Sequence, residues 1–196
     1  MVDLEYDSAT LLPPCPPERL QKFERWLCWY WEAEVRLPQT YTDHIQRYHG
    51  GCPGKACFRT AGGRTRMVGR FFNFLEEGDL SLPLTSSWRQ WSGEPDVRLD
   101  YRVEGFLDYE FWCLRLERAG HVLPIAGLDT AGHNCRDMDE IDLLCLDYNA
   151  GGEPAVVAWE FPGFEPVAAV APSFAAFLGQ LFGCPKGVVS GPAENW

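Results

Sequence analysis

The sequence has no apolar run approaching the roughly 20 residues a helix needs to cross a bilayer, so an integral membrane helix is not expected. Its first residues, MVDLEYDSATLLPPCPP, are acidic and broken by prolines. They lack the basic start and apolar stretch of a secretory signal, so the chain is expected to stay in the cytoplasm. No phosphate-cradling G-x-x-x-x-G-K-[ST] loop, dinucleotide-type G-x-G-x-x-G turn or G-x-S-x-G nucleophile elbow is present. Basic charge is scarce: 17 Lys and Arg stand against 28 Asp and Glu, a net charge of −11. Such a field repels nucleic acid and anionic membranes and draws a basic protein inwards. There is no internal repeat and no low-complexity tract.

What is present is globular in composition. Apolar residues make up 46% of the 196, aromatic residues 14% and charged residues 23%, enough for one domain with a sizeable core. The negative charge is unevenly placed. Residues 1–93 carry 11 acidic and 11 basic side chains, whereas residues 94–160 carry 15 acidic and 5 basic. The eight cysteines, in a chain read as non-secreted, are expected to stay reduced. Cys28, Cys113 and Cys145 sit in apolar stretches and read as small core residues.

Prolines 13, 14, 16 and 17 end what reads as a flexible arm and lead into a helix from about Glu18. Leu20, Phe23, Leu27, Tyr30 and Trp31 keep helical spacing and form its core stripe. Trp26 and Trp29 fall outside that stripe and require either a longer covering element or a partner or self-association contact. Pro38 opens a second helix with Tyr41, Ile45 and Tyr48 on one face, stopped by Gly50 and Gly51. Strand-like segments follow at Arg66–Phe74, Leu99–Val103 and Phe111–Leu116. Ile141–Leu146 and Ala155–Phe161 read as an antiparallel hairpin around the Asn149-Ala-Gly-Gly turn. Ser173 caps a last helix bearing Phe174, Phe177, Leu178 and Leu181, with Gly183 as its stop. Strands bracketed by helices give an α+β fold with a largely antiparallel sheet. Residues 80–94 read as a long loop, with Trp88 and Trp91 plugging the core edge or facing a partner.

Three groupings have the residue types of a reactive centre. His44, His49, Cys52 and Cys57 are zinc-type ligands, which would make the chain a metal-dependent hydrolase. Their spacings contain no tight C-x2-C pair, and His44 and His49 stand about 140° apart on an ideal helix. His133 and Cys135 lie in an acidic loop, which favours the unreactive thiol. The run Asp137-Met-Asp139-Glu140-Ile-Asp142 lacks the glycine and closing glutamate of a calcium loop. No catalytic residue, metal or cofactor is expected.

Three spaced patches resemble the SUKH superfamily, whose members include Smi–Knr-type cell-wall synthesis regulators and bacterial immunity proteins. The first is Leu37-Pro38-x-x-Tyr41-x-x-x-Ile45-x-x-Tyr48-x-Gly50-Gly51. The second runs from Leu123-Pro124-Ile125-Ala126, through Asp129 and Gly132, to Leu143-Leu144-Cys145-Leu146-Asp147-Tyr148. The third is Ala171-Pro172-Ser173-Phe174-x-x-Phe177-Leu178. His49 stands where the family often has Asn, and the loop 129–140 is longer and more acidic than the family pattern.

The resemblance implies helices packed around a mixed, mostly antiparallel sheet of about five to six strands, no catalytic residues, and a protein–protein role. The expected organisation is an arm at 1–17, one domain at 18–184 and a tail at 185–196. The expected partner is a protein, foremost a basic toxin domain such as a nuclease, met by Asp129, Asp137, Asp139, Glu140, Asp142 and Asp147. The alternative is a Smi–Knr-type adaptor or regulator that uses an apolar surface around Trp26, Trp29, Trp88 and Trp91.

Overall fold

In α1 (Pro17–Tyr30) the prolines occupy positions whose backbone N–H has no helical partner, and Glu18 complements the dipole of the first turn. Leu20, Phe23 and Leu27 are buried one turn apart, as their spacing predicts. In the computed structural model of the chain, residues 4–6, 8–76, 102–108, 116–128, 141–160, 166 and 168–185 are described. A short 3-10 turn, Ser8–Thr10, precedes α1. The segment read as a flexible arm packs down instead. Leu4, Leu12 and Cys15 are buried in the core, and Tyr6 stacks on Tyr48 at 4.3 Å.

α2 (Gln39–Tyr48) buries Tyr41, His44 and Ile45. The two glycines after it do different work. Gly50 has φ +67°, the left-handed conformation that ends a helix at least cost without a Cβ. A Cβ on Gly51 would lie 2.6 Å from Leu11 Cδ2 and 2.8 Å from Tyr6 Cδ1, so this glycine admits the N-terminal segment.

The strands are β1 (Cys57–Arg59), β2 (Thr65–Phe71), β3 (Val122–Leu128), β4 (Asp142–Asp147), β5 (Ala155–Trp159) and β6 (Ala168–Ala171). They form one six-stranded sheet in sequence order, with every ladder antiparallel. The parallel pairing among the described residues is the isolated Asn73–Arg102 bridge. The sheet is nearly a barrel: Ala61 N–H, in the β1–β2 turn, donates to Ala169 O of β6. β3 is buried along its whole length, and Pro124 sits in it at a register shift, where a missing N–H is tolerated. The shift frees Ile125 O to accept from Phe72 N–H at 2.9 Å.

Of the strand expected at Leu99–Val103, residues 99–101 lie outside the described residues, Arg102 pairs with Asn73 in the isolated bridge, and Val103 opens α3 (Val103–Asp108). Val103 and Leu107 are buried four residues apart, a helical rather than alternating pattern. The strand read at Phe111–Leu116 falls largely outside the described residues, and its last residue opens a helical turn at 116–119. α4 (Phe174–Gln180) is capped by Ser173, whose Oγ accepts from Ala176 N–H at 3.2 Å. Phe174 and Phe177 join Tyr41, His44, Phe58 and Phe71 in an aromatic core between α2, α4 and the sheet.

The cysteines differ from the reduced set expected. Cys57 and Cys184 form a disulfide across 127 residues, with Cα atoms 5.1 Å apart. Cys57 and Phe182 exchange backbone hydrogen bonds of 3.0 and 2.9 Å, and this pairing brings Cys184 up to Cys57. Cys145 is buried, as its apolar stretch implied, and Cys28 is half-buried against Val35; Cys113 lies outside the described residues.

Candidate functional site

The end of α1 carries four rings in six residues, Trp26 to Trp31, and helical geometry sends them different ways. Trp26 and Tyr30, four apart, stack at 5.0 Å. Trp26 also packs on Phe23 at 5.5 Å. Trp29 points away and is 74% exposed, the one exposed large apolar side chain among the described residues. Trp31 closes the helix by donating its N–H to Leu27 O. Glu32, a non-glycine residue at φ +51°, then turns the chain back, and Ala33 N–H reaches Cys28 O.

This reversal lays Trp31 against the sheet. Its indole stacks on His121 at 5.2 Å and meets Tyr148 edge-on at 5.7 Å. Tyr148 donates its hydroxyl to Arg36 O at 3.2 Å, and burial, with a contribution from Glu24, pushes its pKa well up. Asn149 fastens the β4–β5 turn to the chain entering β3. Its Nδ2 donates to Ala119 O and Asp147 Oδ1, both at 2.8 Å, and its Oδ1 accepts from His121 N–H at 3.0 Å. Beside these groups opens a cavity of about 250 Å3 lined by Tyr30, Trp31, Leu107, Leu116, Glu117 and His121.

The acidic residues expected to form one surface lie in three situations. Asp147, half-buried, belongs to this aromatic end and accepts from Asn149 N–H at 2.9 Å. Asp142 starts the same six-residue strand, about 17 Å away at the rise of an antiparallel strand. Arg66 binds it there at 2.6 Å and Glu160 at 2.8 Å, and Arg64 reaches Glu160 at 2.7 Å. Arg66 is only 1% exposed, so its two carboxylates neutralise a buried guanidinium. Asp129, Asp137, Asp139, Glu140, Trp88 and Trp91 lie outside the described residues, as do His133 and Cys135.

The metal grouping does not assemble. Cys57 is consumed by its disulfide. His49 bonds Pro13 O through Nδ1 at 2.9 Å and accepts Phe74 N–H at Nε2 at 2.8 Å. His44 Nε2 bonds Tyr6 Oη at 2.9 Å, and burial lowers its pKa to about 3. Among the described residues no group of three or more potential metal ligands occurs. Nor is any helix among them long and apolar enough to cross a membrane.

Sequence reasoning identified Trp26 and Trp29 through their departure from the core stripe, but missed the cavity. His121 and Leu116 are isolated in the sequence, and the approach of the chain entering β3 to the end of α1 brings them to Trp31. The SMI1 / KNR4 family (SUKH-1) model matches residues 14–180. No curated protein and no solved structure matches the chain.

Proposed function

The chain belongs to the SMI1 / KNR4 family (SUKH-1), and from that premise we propose that it is a non-catalytic protein-binding domain that neutralises a basic toxin in the cytoplasm. The observation that carries this reading is the charge distribution: 15 acidic against 5 basic side chains in residues 94–160, and balance before them. A nuclease toxin must carry basic surface to hold a phosphate backbone, and an acidic inhibitor gains association rate and specificity against it. The proposed contacts are Asp129, Asp137, Asp139, Glu140, Asp142 and Asp147, with Trp88 and Trp91. The Cys57–Phe182 backbone pair holds the C-terminal segment beside the Cys57–Cys184 disulfide.

The test is co-expression with the candidate toxin, followed by association kinetics at two salt concentrations. Rescue of growth is expected, together with a rate that falls steeply with salt. Neutralising the six carboxylates is expected to slow association by at least about tenfold. Unchanged association would refute the electrostatic reading.

A second reading, a Smi–Knr-type adaptor binding through an apolar surface, is favoured by Trp29 alone, exposed at the end of α1. Binding would then depend little on salt and would be lost in Trp29→Ala.

A further inference from the structure

We propose that the cavity between the end of α1 and the turn into β3 receives one arginine side chain of the protein partner. The inference rests on the protein-binding reading and names the chemistry of one contact within it.

Size sets the class of occupant. At about 250 Å3 the cavity falls below the roughly 300–1,000 Å3 of small-molecule and cofactor sites, and it suits a single long side chain. Its walls divide by chemistry. Leu107 and Leu116 are buried and offer apolar surface to an aliphatic stem, while Tyr30, Trp31 and His121 supply rings. All three rings are held by stacking. Trp26 is stacked on Tyr30 at an interplanar angle of 12°, and His121 on Trp31 at 23°. A preformed aromatic wall loses little freedom when a ligand enters.

Charge selects the sign. Glu117 lines the cavity, and exposed Glu32, Glu34 and Glu153, with half-buried Asp147, lie on the segments that frame this end of the sheet. Among the described residues the basic side chains on those segments are Arg118 and Arg36, and Arg36 is bound by Glu24 at 3.2 Å. A carboxylate would be repelled here. A cation gains from both the ring faces and the surrounding field. Arginine fits better than lysine because its planar, weakly hydrated guanidinium stacks on rings, whereas a compact ammonium keeps its water. Trp29, exposed one residue before the cavity wall, supplies the apolar rim that a protein surface would cover. A second groove, of about 300 Å3 between α1 and α2, lacks this chemistry: no aromatic ring lines it, and Arg36 stands in its wall.

The test uses the full chain, 15N-labelled, and two blocked tripeptides, acetyl-Gly-Arg-Gly-amide and the same peptide with neutral citrulline. The arginine peptide is expected to shift the Trp31 indole N–H and the Gly120 and His121 amides saturably, and about tenfold more tightly than the citrulline peptide. Glu117→Gln, at an exposed position, and Tyr30→Ala are each expected to weaken it by about threefold or more, with β4 and β5 resonances unmoved. Equal binding of the two peptides overturns the proposal, as do shifts that spread over the acidic surface without concentrating at these residues. Retention of a captured partner at full affinity by the Tyr30→Ala, Glu117→Gln double variant overturns the pocket and leaves the protein-binding reading standing. A wild-type chain that captures no partner yet separates arginine from citrulline supports the pocket and removes that reading.

Discussion

His44 is a buried imidazole whose only polar contact described is a phenol, and acidification should expose its cost. Its Nε2 lies 2.9 Å from Tyr6 Oη, and its ring packs against Tyr48, Phe71 and Phe174. Burial raises the Tyr6 hydroxyl well above its ordinary pKa and lowers His44 to about 3. Both groups are therefore uncharged, and the hydrogen bond joins a phenol to a neutral imidazole. An unfolded chain titrates this histidine near 6.5. Between about pH 6.5 and 3 the unfolded state binds a proton that the folded state refuses, so stability falls as pH falls through that window. From pH 7.5 to 5.0 the loss assigned to this one group is about 2 kcal/mol.

His44→Gln keeps a hydrogen-bonding group for the Tyr6 hydroxyl and removes the titration. Urea unfolding of both proteins at the two pH values measures the difference. With a slope of about 2 kcal/mol per molar, the wild-type midpoint should fall by about 1 M more than that of the variant. Stopping at pH 5.0 keeps most carboxylate titration out of the comparison. Parallel losses in the two proteins would refute the buried, neutral His44.

Three further outcomes follow from the packing. Reducing the Cys57–Cys184 bond, which closes a loop across 127 residues, is expected to cost about 2–5 kcal/mol in urea unfolding, and the Cys57→Ser, Cys184→Ser variant should be indifferent to reductant. Arg66→Met leaves carboxylates that are 25% and 36% exposed and can hydrate, at about 1 kcal/mol, whereas Asp142→Asn with Glu160→Gln removes both of these countercharges from a guanidinium that is 1% exposed, at about 3 kcal/mol or more. The reverse ranking in thermal or urea melts would show that the ion pairs do not set the cost. Gly51→Ala forces a Cβ into Leu11 and Tyr6 and is expected to cost about 1–3 kcal/mol, with the N-terminal segment becoming the first site of proteolysis.

The elements legible in the sequence carry local signals. α1, α2 and α4 declare themselves by apolar period and end residues, and the β4–β5 hairpin by two apolar runs about a glycine turn. The rest depends on distant partners. β3 is buried on both faces, so Val122–Leu128 shows no alternation, and its proline and glycine imitate a loop until the bulge beside Pro124 is known. β6 is built of Ala-Ala-Val-Ala, a composition with little strand preference, and becomes a strand by pairing with β5. The disulfide is the extreme case. Nothing near Cys57 points to Cys184, and only the antiparallel contact with Phe182 makes them neighbours.

The same division explains the site. The stripe of α1 left Trp26 and Trp29 unaccounted for, and the structure gives them opposite fates: Trp26 is covered by Phe23 and Tyr30, and Trp29 stands in solvent. Charge counting raised Asp142 and Asp147 together because they are close in sequence. A strand separates its ends, and the two carboxylates answer to different neighbours, Asp142 to Arg66 and Asp147 to Asn149. Acidic composition therefore counts charges without placing them on one surface. On the proposed reading, place is set by where rings are held rigid beside a carboxylate, as at Tyr30, Trp31 and Glu117. A partner steered by the field of residues 94–160 needs such an anchor to be retained once it arrives, since long-range charge raises the rate of encounter while a buried, well-packed side chain lowers the rate of escape.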